Sequence, residues 1–205
     1  MSRDNLESLQ KRASAIHIVM EIIYVIGVII SVVAMIGFIY FCFASQERFN
    51  AVKGNMNWSI TYKLTTSSSF FINIPFKVLQ PLENGIISAK NAFLTGVFSL
   101  LIKVSLTIYG IKQAAEFLNS IANDKAPYVI LNVKRVKKIA YVTILYSVAV
   151  DTLSSLLYSI FVTGIFTLDL SNIHLSGVLI GGFILVIADL IKYGVFLQEE
   201  FDAKL

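Results

Sequence analysis

Four long apolar runs, at about 16–43, 86–111, 139–166 and 173–197, constrain this chain more than any other feature of its sequence. A helix needs about 20 predominantly apolar residues to cross the ~30 Å hydrocarbon of a bilayer, and each run reaches that length. Apolar residues make up 56% of the 205 and charged residues only 15%, against roughly a quarter charged in soluble domains. A water-soluble core of this size has no room for so much apolar surface. The expected fold is therefore an all-α membrane protein, a four-transmembrane-helix bundle forming a single membrane domain over residues 1–205. The first run far exceeds the roughly 7–15 apolar residues of a secretory signal, so it reads as a retained helix with Ser14 as its N-cap. Cys42, inside that run, is the only cysteine and reads as a buried thiol.

Between the first two runs, residues 44–85 are too many for a turn. Trp58, Ile60, Tyr62 and Leu64 alternate with polar residues, and a second apolar stretch, Phe70 to Ile74, comes after the polar cluster Thr65 to Ser69. This is the pattern of a β-hairpin, which Pro75 and Pro81 would end. The expectation is a small extracellular cap lying on the headgroups, with Trp58 and Tyr62 as interfacial anchors. An outer sensor or ligand cap is the functional alternative.

Lys112, Lys125, Lys134, Arg135, Lys137 and Lys138 crowd the connector 112–138, whereas the turn 167–172 holds neither Lys nor Arg. Basic residues near helix ends are retained on the cytoplasmic side during insertion, so the connector is expected inside and, with an even number of spans, both termini with it. The net charge of +4 arises from these flanks and not from an aromatic-interleaved basic face, so no direct nucleic-acid binding is expected. The lipid bilayer is the expected partner. The cluster Lys134, Arg135, Lys137 and Lys138 at the headgroups would attract anionic lipid at about 1 kcal/mol per residue, or hold a protein partner.

Ionisable side chains in hydrocarbon cost at least a few kcal/mol each unless paired or hydrated. Glu21, Lys103, Asp151, Asp189 and Lys192 lie within the runs and form the expected intramembrane polar network. At a rise of ~1.5 Å per residue, Glu21, Lys103 and Asp189 fall at similar heights in the inner leaflet, with Asp151 deeper and Lys192 shallower. Lys103 is expected to meet Asp151 or Asp189 in a structural lock; a proton or ion relay through Glu21, Asp151 and Asp189 is the functional alternative. His17 and Glu21 share one helix face, but His174 and Cys42 fall far from them, so no metal site is expected. Ser154, Ser155 and Ser159 have no histidine at their depth to activate them. The chain has no Walker glycine loop, dinucleotide fingerprint or zinc-protease motif, and neither catalytic residues nor a cofactor is expected. Gly177, Gly181 and Gly182 include a small-xxx-small spacing, which serves packing within one chain as well as it serves dimerisation.

Two segments carry a resemblance. Ala126-Pro127-Tyr128, with Asn132-Val133-Lys134-Arg135-Val136-Lys137-Lys138-Ile139 after it, resembles the basic entry into the third helix of a bacterial domain-of-unknown-function family. That family comprises small four-span membrane proteins often encoded beside a Cro-like helix-turn-helix regulator. The stretch from Ala188 to Glu200, with Gly194, Gln198 and Glu199, looks like the same family's C-terminal signature. The N-terminal half is similar in hydropathy alone. The resemblance implies a bacterial plasma-membrane location and a cytoplasmic helix-turn-helix regulator as partner, and it transfers no catalytic residue. Independently of it, Pro127 disfavours a helical Ala126, so the second helix is expected to end before it.

With most of the extramembrane material gathered in one cap and one basic connector, these features point to a noncatalytic integral membrane regulator or sensor. The alternative is a small transporter or peptide-immunity membrane protein built on the inner acid and base layer.

Overall fold

The computed structural model describes residues 3–78, 88–123 and 129–204. Its elements run α1 (Arg3–Phe43), β1 (Phe49–Lys53), β2 (Asn57–Lys63), β3 (Ser69–Pro75), α2 (Ala89–Asn123), α3 (Ile130–Leu145), α4 (Asp151–Tyr158) and α5 (Leu175–Asp202). Two π-helical turns, Tyr146–Val150 and Ser159–Thr163, make α3 and α4 one continuous helix as far as Thr163. That helix stops at Gly164, whose φ of 67° is a left-handed conformation that favours glycine. Four helical stretches, Glu7–Phe43, Ala89–Asn123, Ile130–Thr163 and Leu175–Phe201, are long and apolar enough to cross a membrane.

Several helix ends lie beyond the apolar runs that announce them, whereas the continuous α3–α4 helix stops at Thr163, short of 166, and α5 starts at Leu175, not 173. Ser14 lies inside α1 and does not cap it, because the preceding Leu6 to Arg12 are mostly good helix formers and carry the helix outward in polar surroundings. Likewise α3 begins at Ile130, not near 139, since its lysines and Arg135 are as compatible with helix as its apolar residues. Pro127, Tyr128, Lys125 and Pro81 lie outside the described residues.

The chain divides into two compact units. One comprises Ser31–Lys103 and Ala149–Ile173 and contains the sheet. Its strands are antiparallel in the order β1-β2-β3, with Trp58 opposite Ile74, Ile60 opposite Ile72 and Tyr62 opposite Phe70. The β2–β3 hairpin has the alternation read from residues 58 to 74. β1 extends it to three strands, and Gly54 makes the intervening turn by donating its backbone N–H to the Asn57 carbonyl at 2.8 Å. The pairing ends at Pro75, opposite Asn57, where a residue without an N–H is tolerated on an edge strand.

Tyr62 is not an interfacial anchor. It is fully buried, in a core with Phe49, Ile60, Ile74, Ala92, Phe93 and Tyr158. Its ring lies 4.9 Å from those of Phe41 and Phe49, and Phe41 lies 5.0 Å from Phe93. The reason is the pleat: side chains at 58, 60 and 62 share one face of β2, and that face packs on the end of α1 and the start of α2. Lys90 completes the junction, its ammonium donating to the carbonyls of Cys42 and Ala44 at 2.8 Å each. Cys42 lies in the last turn of α1 and Ala44 directly follows it, where carbonyls lack intrahelical partners and the helix dipole favours a cation. Cys42 itself is exposed, not buried, because most of this end of α1 faces outward.

The second unit comprises Met1–Ile30, Val104–Val148 and His174–Leu205. Here α5 lies close against α3. A Cβ on Gly177 would fall inside the contact radius of Ser147 Oγ, and one on Gly181 would press on Ile144 and stand 3.1 Å from the Ala140 carbonyl oxygen. Ala140 and Ala188 are fully buried. Gly182 has nothing within 4 Å of where its Cβ would be. The small-residue spacing therefore serves close approach of helices within the chain.

Candidate functional site: an ion-paired cavity behind the third strand

The sheet-containing unit holds a cavity of about 450 Å³, bounded by α2, α4, β3 and Asn172. From α2 it takes Gly96, Ser99, Leu100 and Lys103, and from α4 it takes Asp151, Ser154, Ser155 and Tyr158. Both sets repeat at i, i+3, i+4 and i+7, the spacing of one helix face. The π turn Tyr146–Val150 immediately precedes Asp151. Such a turn interrupts the α-helical register, so α4 presents a face that an unbroken continuation of α3 would not.

Lys103 Nζ donates to Asp151 Oδ1 at 2.6 Å. The two side chains are 34% and 33% exposed, so the pair lines an opening and is not sealed in the interior. Ser99, one helical turn from Lys103, is 5% exposed. Its hydroxyl has no hydrogen-bond partner among the described residues. Ser155 and Tyr158 are buried as well. Gly96 leaves the room for this arrangement: a Cβ there would stand 2.8 Å from the Tyr158 hydroxyl and 3.1 Å from Ile72 Cδ1. Ile72, Ile74, Val78 and Leu100 supply apolar wall. The site thus combines a fixed positive and negative charge, buried hydroxyls and an apolar lining. Ser154 is turned to its own helix, donating to the Val150 carbonyl at 2.8 Å, and neither histidine lines the cavity.

The remaining sequence-derived residues fall elsewhere. Asp189 is 65% exposed and pairs with Lys137 at 2.8 Å; Glu21 is 57% exposed and meets His17 at 3.4 Å. Lys192 is exposed, one turn beyond Asp189 on α5. The five ionisable residues of the apolar runs are therefore distributed over distinct contacts, with Lys103 and Asp151 brought together directly. Of the basic cluster, Lys137 is engaged with Asp189, and Arg135 with Glu116 at 3.4 Å and with the Asn132 amide oxygen at 3.1 Å. Lys134 and Lys138 are exposed. Asn132 is fully buried, Gly194 half-buried, and Gln198 and Glu199 exposed on α5. Ser99, Tyr158, Asn73 and Asn172 were not singled out by the sequence. For Ser99 the available signal was its place on one helix face with Gly96 and Lys103.

Four spanning-capable helices with a small antiparallel sheet packed on helix ends define the class: a multi-pass membrane protein. No family model, curated protein or solved structure matches the chain.

Proposed function

We propose that this chain is a noncatalytic membrane regulator or sensor of a bacterial plasma membrane, with the sheet outside and the basic first turns of α3 inside. The observation that carries the reading is the junction of sheet and helices. The Tyr62, Phe41 and Phe93 rings and the Lys90 cap on α1 build the sheet into the helix ends, so a load on the sheet is felt by the helices. A loosely tethered cap would transmit nothing. On the inner side, Lys134 and Lys138 are left exposed to engage anionic lipid or an acidic protein surface. The resemblance carried by the basic entry into α3 and by the end of α5 adds a helix-turn-helix regulator as the expected partner.

Affinity capture from detergent extracts tests the regulatory reading. The full chain is expected to retain a cytoplasmic protein that a Lys134→Glu/Lys138→Glu variant loses. Identical recoveries from both would count against it.

Orientation has its own test. In a Cys42→Ala background, a membrane-impermeant thiol reagent applied to intact cells is expected to label a cysteine at Ser68 and not one at Asn123, both exposed. The reverse pattern would invert the topology and with it the roles of the sheet and of the basic start of α3. The second reading, a small transporter, draws on the charged cavity at Lys103 and Asp151. Solute uptake into sealed liposomes carrying the protein would favour it.

A further inference from the structure

We propose that the cavity behind β3 is a binding site for a small zwitterionic amphiphile, of the class of an apolar amino acid or a dipeptide made of such residues. This goes beyond the regulatory reading, because it concerns the occupant of the cavity and not the consequence of its being filled.

Charge is the first argument. Lys103 and Asp151 face the opening as a neutral pair, each about one-third exposed. A ligand with a single charge can match only one of them and must compete with the existing pair for it. A zwitterion replaces both partners at once, its carboxylate on the Lys103 ammonium and its ammonium on the Asp151 carboxylate. The lining is the second argument. Ile72, Ile74, Val78 and Leu100 favour an apolar body, which excludes small hydrophilic zwitterions as preferred ligands.

The third argument is Ser99. A buried hydroxyl without a partner is a recurrent sign of a missing acceptor, and Ser99 sits one turn from Lys103 on the same face of α2. Its O–H is placed to donate to the carboxylate that Lys103 binds. The volume of about 450 Å³ lies within the ~300–1,000 Å³ of small-molecule sites. The π turn next to Asp151 agrees with this, since such turns concentrate at functional positions. A zwitterionic lipid headgroup carries the same pair of charges, so the experiment separates the two sources.

The test uses the full chain in nanodiscs of phosphatidylglycerol, which offers no ammonium, and radiolabelled leucyl-leucine as probe. Saturable binding near one per chain is expected. N-acetyl-leucyl-leucine, lacking the ammonium, and leucyl-leucine amide, lacking the carboxylate, should each compete at least tenfold more weakly than the free dipeptide. Ser99→Ala should weaken binding several-fold with the melting temperature unchanged, and Lys103→Leu/Asp151→Leu should abolish it. Loss of dipeptide binding on adding phosphatidylethanolamine would identify the headgroup as an occupant of the same chemistry; undiminished binding would identify the free solute.

Absence of saturable binding of leucyl-leucine and leucine to folded wild-type protein, or equal competition by the end-blocked forms, would overturn the proposal. No cytoplasmic partner enters the measurement, so failure of the regulatory reading and failure of this one are read separately.

Discussion

Replacing Gly181 with leucine is expected to lower the melting temperature of the detergent-solubilised protein by on the order of 5–10 °C, with a matching loss of monodisperse material after a heat challenge. A Cβ at this position already meets Ile144 and stands 3.1 Å from the Ala140 carbonyl oxygen, so the first added atom presses partly on backbone, which cannot rotate away. Overpacking of this kind costs about 1–3 kcal/mol and sometimes more, and in a chain of this size 1 kcal/mol shifts the midpoint by roughly 2–4 °C. Gly177→Val should act in the same direction, because Ser147 stands in the way and its hydroxyl is held by the Thr143 carbonyl at 2.8 Å. Gly182→Leu is the control: open space surrounds that position, and its melting temperature should stay within about 1–2 °C of wild type. If Gly182→Leu were the damaging change and Gly181→Leu silent, the close approach of α3 and α5 would be wrong. A drop on Gly181→Leu that disappears at high protein concentration would assign the glycine face to a contact between copies.

The second large effect is expected at the ion pair. Lys103→Leu should destabilise the protein by about 2–3 kcal/mol, below the ~3–5 kcal/mol of a sealed pair because a third of each side chain is open to the cavity. Asp151→Leu should cost about the same. The double variant Lys103→Leu/Asp151→Leu should recover most of the loss, since neither charge is then stranded, whereas Lys103→Leu/Asp189→Leu should recover none. Asp189 has Lys137 at 2.8 Å, and its own rescue is expected with Lys137→Leu. Melting curves of the variants in one detergent decide the matter. A Lys103→Leu/Asp151→Leu protein no more stable than Lys103→Leu would mean that Lys103 is held by water or headgroups and not by Asp151.

Element by element, legibility tracked the range of the forces involved. Helical stretches announced themselves because each buries its backbone hydrogen bonds internally, and about 20 apolar residues are needed whatever the neighbours are. Their ends were less legible. α1 runs back to Arg3 and α3 to Ile130 because helix propagates through polar residues at little cost, and hydropathy is blind to that. The β2–β3 hairpin showed in its alternation, but β1 did not: it is five residues long, with only Phe49 fully buried, and its turn rests on a single glycine. The exposure of Cys42 depends on which way the end of α1 faces, and its neighbours are distant in sequence.

Composition and periodicity alone were sufficient for a multi-pass, mostly helical chain with a connecting segment able to pair as strands, because these properties rest on local backbone satisfaction and on bulk transfer from water to hydrocarbon. Pairing among charges required the folded chain. Lys103 had two carboxylates within reach along the sequence, and the packing of α2 against α4 within one compact unit set Asp151 against it. The burial of Tyr62 likewise came from which face of β2 met α1 and α2. Each of these depends on the relative rotation of elements far apart in sequence, where a shift of one residue turns a side chain by about 100° on a helix or to the opposite face of a strand.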